Sequence, residues 1–134
     1  MSMRLYDTSQ GAVVPFEPGD TVSIYVCGVT PYDATHLGHA FTYLCFDVLI
    51  RRLEDLGHEV KMVRNVTDVD DSILAKAKEI GVDYLELGLS ETQQFKEDIK
   101  ALDLRPAVAE PTVTGSIDEI VSLISQLAEK GHTY

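Results

Sequence analysis

The chain has 134 residues, 45% of them apolar, with 11 basic against 22 acidic residues and a formal net charge of −11. This describes about one globular unit with enough apolar residues for a core, and it argues against a general nucleic-acid clamp, which normally carries a basic face. No stretch approaches the ~20 apolar residues of a membrane span, and MSMRLYDTSQ lacks a signal-peptide apolar stretch, so no membrane partner and a cytoplasmic location are expected. Two cysteines, Cys27 and Cys45, make no disulfide framework.

The opening RLYDTSQGAVVPFEPGD alternates apolar runs with turn residues and predicts a small hairpin within residues 1–20. Thr21–Cys27 (TVSIYVC) is β-branched and nearly all apolar, as expected for a parallel strand buried on both faces. After the loop Gly28–Gly38, the run from His39 places Phe41, Leu44, Cys45, Val48, Leu49, Leu53 and Leu56 at helical spacing, and Gly57 ends it. These residues are the candidate core face of that helix. Glu59–Thr67 is again β-rich, which completes a βαβ unit and predicts an α/β, Rossmann-like fold with parallel strands. Thr67 or Asp68 is expected to cap a helix carrying Ile73, Leu74, Ala77 and Ile80. Two further helical patterns, 83–102 and 116–130, flank the breaker-rich LRPAVAEPTVTG. The organisation expected is thus a hairpin lead-in (1–20), a βαβ core (21–82) and an all-helical segment (83–134), without repeats.

Ligands of open parallel sheets gather at the carboxyl ends of the strands. Cys27 ends the first strand there, His36 and His39 enter the first helix around Gly38, and Asn65–Thr67 end the second strand. A helix N-terminus suits phosphate, Gly38 lets it approach the backbone, and the two histidines can donate hydrogen bonds to developing phosphoryl charge. A zinc site of Cys27, His36, His39 and a water is the competing reading, because zinc needs about three protein ligands; a buried core thiol and capping histidines are the plainest one. Asp68, Asp70 and Asp71 could resemble a magnesium cluster, but acidic residues opening a helix are better explained as caps and dipole partners.

YVCGVTPYDATHLGHAFTYLCFDVL and VRNVTDVDD resemble the N-terminal catalytic region of cysteinyl-tRNA synthetases and of their paralogue, the mycothiol-pathway ligase joining cysteine to glucosaminyl-inositol. The resemblance runs from RLYDT to LAEKGHTY; HLGH matches the HIGH signature of class I synthetases. It implies ATP-dependent activation of L-cysteine to cysteinyl-adenylate, with magnesium as the ATP counter-ion, followed by transfer to glucosaminyl-inositol or tRNA-Cys. By residue, it implies Cys27 as the first ligand of a zinc that grips the substrate thiolate, and His36 and His39 as the pair that steadies ATP phosphates. Thr30, Thr42, Asn65, Val66 and Thr67 fall at positions lining the adenylate pocket, with Gly28 and Val29 beside Cys27.

Pro31, the ATH before the leucine, Phe41 where synthetases usually carry arginine, and ETQQFKED are more ligase-like. LRPAVAEP is closer to the synthetases, although PTVT replaces their usual PRAT. Amino-sugar ligation is the expectation, with tRNA as the alternative acceptor. Full members of the family are expected at roughly three times this length, with further zinc ligands and the KMSKS loop beyond Tyr134, so a half sheet with an exposed apolar edge, and self-association through it, is anticipated. A truncated binding module and a purely structural domain are the non-enzymatic alternatives.

Overall fold

The computed structural model describes residues 3–134. Strands β1 (Met3–Asp7) and β2 (Ala12–Phe16) pair antiparallel, Met3 opposite Phe16 and Asp7 opposite Ala12. The turn follows from its residues: the Asp7 carboxylate accepts from the backbone N–H and hydroxyl of Ser9 and from the Gln10 carboxamide, and Gly11 takes a positive φ of 61°. The expected hairpin is present.

Strand β3 (Thr21–Val29) and strand β4 (Glu59–Val66) pair in parallel, joined by helix α1 (Leu37–Asp55). Gly57, at φ 93°, follows the end of α1, as expected of a glycine stop. The chain then folds into α2 (Asp71–Ile80), α3 (Tyr84–Ala101), a short 3₁₀ turn (Thr114–Ser116) and α4 (Ile117–Glu129). One core joins Val26 and Val29 of β3, Met62 of β4, Tyr43 and Ile50 of α1, and Phe95 and Ile99 of α3. A second, smaller cluster of Ile73, Ala77 and Leu87, with Tyr84 against it, holds α2 to α3.

Four expectations are corrected. First, β3 is buried on one face: Val22, Val26 and Val29 point into the core, whereas Ser23, Tyr25 and Cys27 are exposed. The described helices of the main core cover that one face, so the strand alternates as a half-buried strand does.

Second, α1 buries Tyr43, Asp47, Ile50 and Leu53 with Phe46 half-buried, while Phe41, Leu44, Cys45 and Val48 of the expected stripe lie outside. This helix is apolar around much of its circumference, and the sheet selects the face carrying the Tyr43 ring. Asp47 is tolerated inside because its carboxylate accepts from Arg51 Nε at 2.6 Å and from the Arg105 backbone N–H at 2.7 Å.

Third, α2 is capped by Asp70, which accepts from the Ser72 N–H at 2.8 Å, not by Thr67 or Asp68. Asp68 instead accepts from the backbone N–H and hydroxyl of Thr114. Leu74 and Ile80 of that helix are exposed; Ile73 and Ala77 are buried.

Fourth, the segment after α3 is not wholly helical. Residues 108–113 run parallel to β4 through bridges at Val63–Ala109 and Val66–Thr112, and Val66 N–H donates to the Pro111 carbonyl at 2.9 Å. Pro111 removes an N–H donor from this stretch, which reduces a third strand to isolated bridges. The sheet order is therefore β3, β4, then 108–113, and the other edge of β3 carries no strand among the described residues.

The buried cation Arg64 links this third segment to the core. Its guanidinium donates to Glu110 and lies 5.0 Å from the Tyr43 ring centroid and 4.8 Å from that of Phe95. No described helix is long and apolar enough to cross a membrane.

Candidate functional site

The carboxyl ends of β3 and β4 and the N-terminus of α1 meet at one side of the sheet, and the sequence-predicted residues sort into two groups there. In the first, β3 departs from regular pairing between Val26 and Val29. Asn65 fills the irregularity: its Oδ1 accepts from the Gly28 N–H at 2.8 Å and from the Tyr25 hydroxyl at 2.9 Å, and its Nδ2 donates to Thr67 Oγ1 at 3.1 Å. Gly28 is required by contact distance, since a Cβ there would stand 1.5 Å from the Asn65 carbonyl oxygen. Val29 pairs with Val66, and its carbonyl accepts from the Thr67 N–H at 2.9 Å. The Asn65 side chain clamps the strand ends that present Cys27, Val29 and Thr30. Thr30 is half-buried and followed by buried Pro31.

In the second group, His36 is the N-cap of α1 with extended backbone (φ −132°, ψ 172°). Its Nδ1 accepts from the Gly38 N–H at 3.1 Å, while His39 Nδ1 accepts from the His36 N–H at 3.2 Å. This is a capping box built from two histidines in place of the usual hydroxyl and carboxylate. The rings stack with centroids 4.1 Å apart. Burial first, and the neighbouring His36 second, hold the His39 imidazole below its usual pKa. An Nδ1 that accepts a hydrogen bond carries no proton, so the hydrogen-bond pattern assigns both neutral rings the Nε2–H tautomer. Two Nε2–H donors therefore stand at a helix terminus with a positive dipole. Thr42 is exposed, and its hydroxyl donates to the Gly38 carbonyl at 3.0 Å.

Cys27 and the histidines do not combine into a metal site. Among the described residues no three His, Cys, Asp or Glu side chains converge as a metal would require, so the four-ligand reading of Cys27, His36, His39 and water is overturned. Cys27 is an exposed free thiol on β3. Asp70 caps α2 through Ser72, whereas Asp68 is engaged by Thr114, 46 residues away in the chain.

Sequence reasoning missed Asp98 of α3, which accepts from the Thr35 hydroxyl directly before the histidines. Nothing in the local pattern joins two residues 63 apart in the chain. Asp47 did leave a trace, as a lone charge inside the apolar run CFDVL.

Residues 13–134 match the profile of the tRNA synthetases class I (C) catalytic domain. The chain is 49% identical over 132 residues to the L-cysteine:1D-myo-inositol 2-amino-2-deoxy-alpha-D-glucopyranoside ligase of Streptosporangium roseum, a match covering 98% of this chain and 32% of that one. The ligase of the same name from Mycolicibacterium smegmatis is 47% identical over 133 residues, with 99% and 32% covered. A solved methionyl-tRNA synthetase from Mycobacterium tuberculosis, in complex with methionyl-adenylate, superposes with a TM-score of 0.57 at 23% identity over 61% of this chain and 16% of that one; it supports the Rossmann-like α/β fold. The chain spans about a third of the length of the curated relatives it matches. On the profile match and these identities, the chain belongs to the class I (C) tRNA synthetase catalytic-domain family.

Proposed function

We propose that this chain carries the ATP-binding face of a ligase that activates L-cysteine as cysteinyl-adenylate and transfers it to glucosaminyl-inositol. The observation that carries the proposal is the histidine capping box: both Nδ1 atoms are occupied by backbone N–H groups, which leaves two Nε2–H donors for phosphate oxygens. In the activation step, a cysteine carboxylate oxygen attacks the α-phosphorus of ATP. A new P–O bond forms, the bond to the β-phosphate bridging oxygen breaks, and pyrophosphate leaves with that electron pair. His36 and His39 donate to the oxygens on which charge builds, and Gly38, having no side chain of its own, permits close approach. Val29, Thr30, Val66 and Thr67 form the strand-end floor, and Thr42 lies one helical turn behind Gly38. The acceptor amine then displaces AMP from the cysteinyl carbonyl.

Magnesium would accompany ATP as its counter-ion, and no residue of this chain is assigned to it. Zinc, when bound in a site of this family's kind, would hold the substrate thiolate and so favour cysteine over serine. Cys27 offers one ligand where such a site takes about three from protein, and the described residues do not supply the rest. No step is therefore derived through zinc, and Cys27 is proposed only as a contributor to it.

Transfer to tRNA-Cys is the second reading, favoured by the family's synthetase description. The net charge of −11 and the names of the relatives favour the amino sugar. A cytoplasmic setting fits the two free thiols, and self-association along the open β3 edge accompanies the reading.

The test is ATP–pyrophosphate exchange with cysteine, followed by transfer assays with glucosaminyl-inositol and with tRNA, on the native gene product that contains this chain. His36→Ala and His39→Ala should each slow exchange by roughly 10²-fold, as expected for a lost transition-state donor. Unchanged exchange in both variants would sink the assignment, and transfer to tRNA alone would move it to the second reading.

A further inference from the structure

We infer that Asp98 of α3 is a positioning residue for adenylate formation, acting through Thr35 on the histidine pair. The connection of residues 30–36 between β3 and α1 delivers His36 to its capping position. Within it, Tyr32 N–H bonds back to Thr30, Ala34 N–H bonds to Asp33, and His36 engages Gly38 and His39, all of them local contacts. Among the described residues, the Thr35 hydroxyl to Asp98 Oδ2 is the one side-chain hydrogen bond from this connection to an element other than α1, which it leads into. The Asp33–Lys76 pair, at 3.9 Å, is a looser charge contact.

The Asp98 carboxylate is oriented for this task. Its Oδ1 accepts from Gln94 one turn earlier in α3, at 3.0 Å, which leaves Oδ2 for Thr35. No cation pairs with it among the described residues, so what it meets there is two neutral donors. Donation by Thr35 first, and by Gln94 second, holds its pKa below the usual carboxylate value, and it remains an acceptor at neutral pH. Thr35, His36, His39, Phe95 and Asp98 line one narrow cleft of about 30 Å³. Buried Phe95 and Ile99 bracket Asp98 on α3 and belong to the main core. The latch therefore ties the phosphate-facing histidines to the main core. A seven-residue connection without it could carry the capping box through small rotations, and a displacement of about 1 Å at a reacting group costs up to ~10²-fold in rate.

This inference rests on the adenylate-forming reading, so its test has two independent readouts on the native gene product. The first is exchange kinetics. Thr35→Val and Asp98→Ala should each lower kcat about 10- to 100-fold with the KM for cysteine little changed. Thr35→Ser and Asp98→Asn, which keep a hydroxyl and an acceptor oxygen, should recover most of that loss. The Thr35→Val/Asp98→Ala double variant should be no slower than the worse single one, since both remove the same contact.

The second readout is the ¹⁵N chemical shifts of His36 and His39, which report the tautomer whether or not turnover occurs. Both should read as Nε2–H in the parent and drift to a mixture in Thr35→Val. Additive losses of kcat, a raised cysteine KM at constant kcat, or unchanged tautomers in Thr35→Val would overturn the latch. No exchange in the parent, with the tautomer response intact, would refute the ligase reading and leave the latch standing. If Asp98→Ala fails to fold, the Val and Ser variants at Thr35 decide alone.

Discussion

Replacing Gly28 with alanine probes the strand junction that presents Cys27. A Cβ built on Gly28 stands 1.5 Å from the Asn65 carbonyl oxygen and 2.6 Å from its carbon, where 3.0 Å is the practical minimum. Relief of the first contact alone requires 3.0 − 1.5 = 1.5 Å of separation, and the obstacle is backbone, so no side-chain rotation supplies it. A shift of that size takes the Gly28 N–H, now 2.8 Å from Asn65 Oδ1, out of hydrogen-bond range. Overpacking costs about 1–3 kcal/mol and the lost bond about 1 kcal/mol, a total near 2–4 kcal/mol. For a chain of this size that lowers Tm by roughly 8–16 °C. Thermal and urea unfolding of the purified protein measure it, with Gly19→Ala as the control, because a Cβ there meets nothing within 4 Å. A Gly28→Ala Tm within about 2 °C of the parent would refute the close-approach argument.

Glu110→Ala leaves the buried Arg64 cation facing only the Tyr43 and Phe95 rings. A loss of roughly 3 kcal/mol is expected in urea unfolding, with Glu110→Gln retaining part of it through its carbonyl oxygen. Burial and the neighbouring His36 hold the His39 imidazole below the usual histidine value of 6.5, so folding favours the neutral ring. Its contribution to stability is present above pH 6.5 and is lost as pH falls through the lowered folded value. Urea midpoints measured from pH 8 down to 5 should show a fall in the parent that is reduced in His39→Asn; identical pH profiles would remove the capping role from the neutral ring.

Most elements were legible because their signals are local. The β-branched run Thr21–Cys27, the Asp7 to Gly11 turn and the helical pattern of α3 each follow from neighbours within a few residues. The choice of buried face on α1 was not, since Phe41, Leu44 and Val48 offer as good an apolar stripe as Tyr43, Phe46 and Ile50. Only packing against the sheet decides between them, with Asp47 accommodated by the Arg105 backbone N–H from the turn after α3. The strand-like stretch 108–113 was hidden by its proline and by Pro106 just before it, which read as loop although the Pro111 carbonyl still accepts from Val66. At the site, HLGH announced the entry of helix α1 and its capping histidines. That Asn65 braces the strands, and that Asp98 anchors Thr35, depend on contacts across 37 and 63 residues, which no local pattern encodes.

The parallel pairing of β3 with β4 also sets an order of events during synthesis. Thr21 meets Glu59, so 59 − 21 = 38 residues must emerge after the first strand begins before its partner does. At ~5–20 residues per second that is roughly 2–8 s, during which β3 has α1 as its neighbour but no ladder. Helix α1 can form within that interval on its own local bonds. Closure of the sheet then waits on β4, and Val63 meets Ala109 only after a further 109 − 63 = 46 residues. The unpaired edge of β3 is thus exposed longest to neighbouring chains, and slowing elongation at codons 30–58 should raise aggregation of nascent protein more than slowing it at codons 1–16.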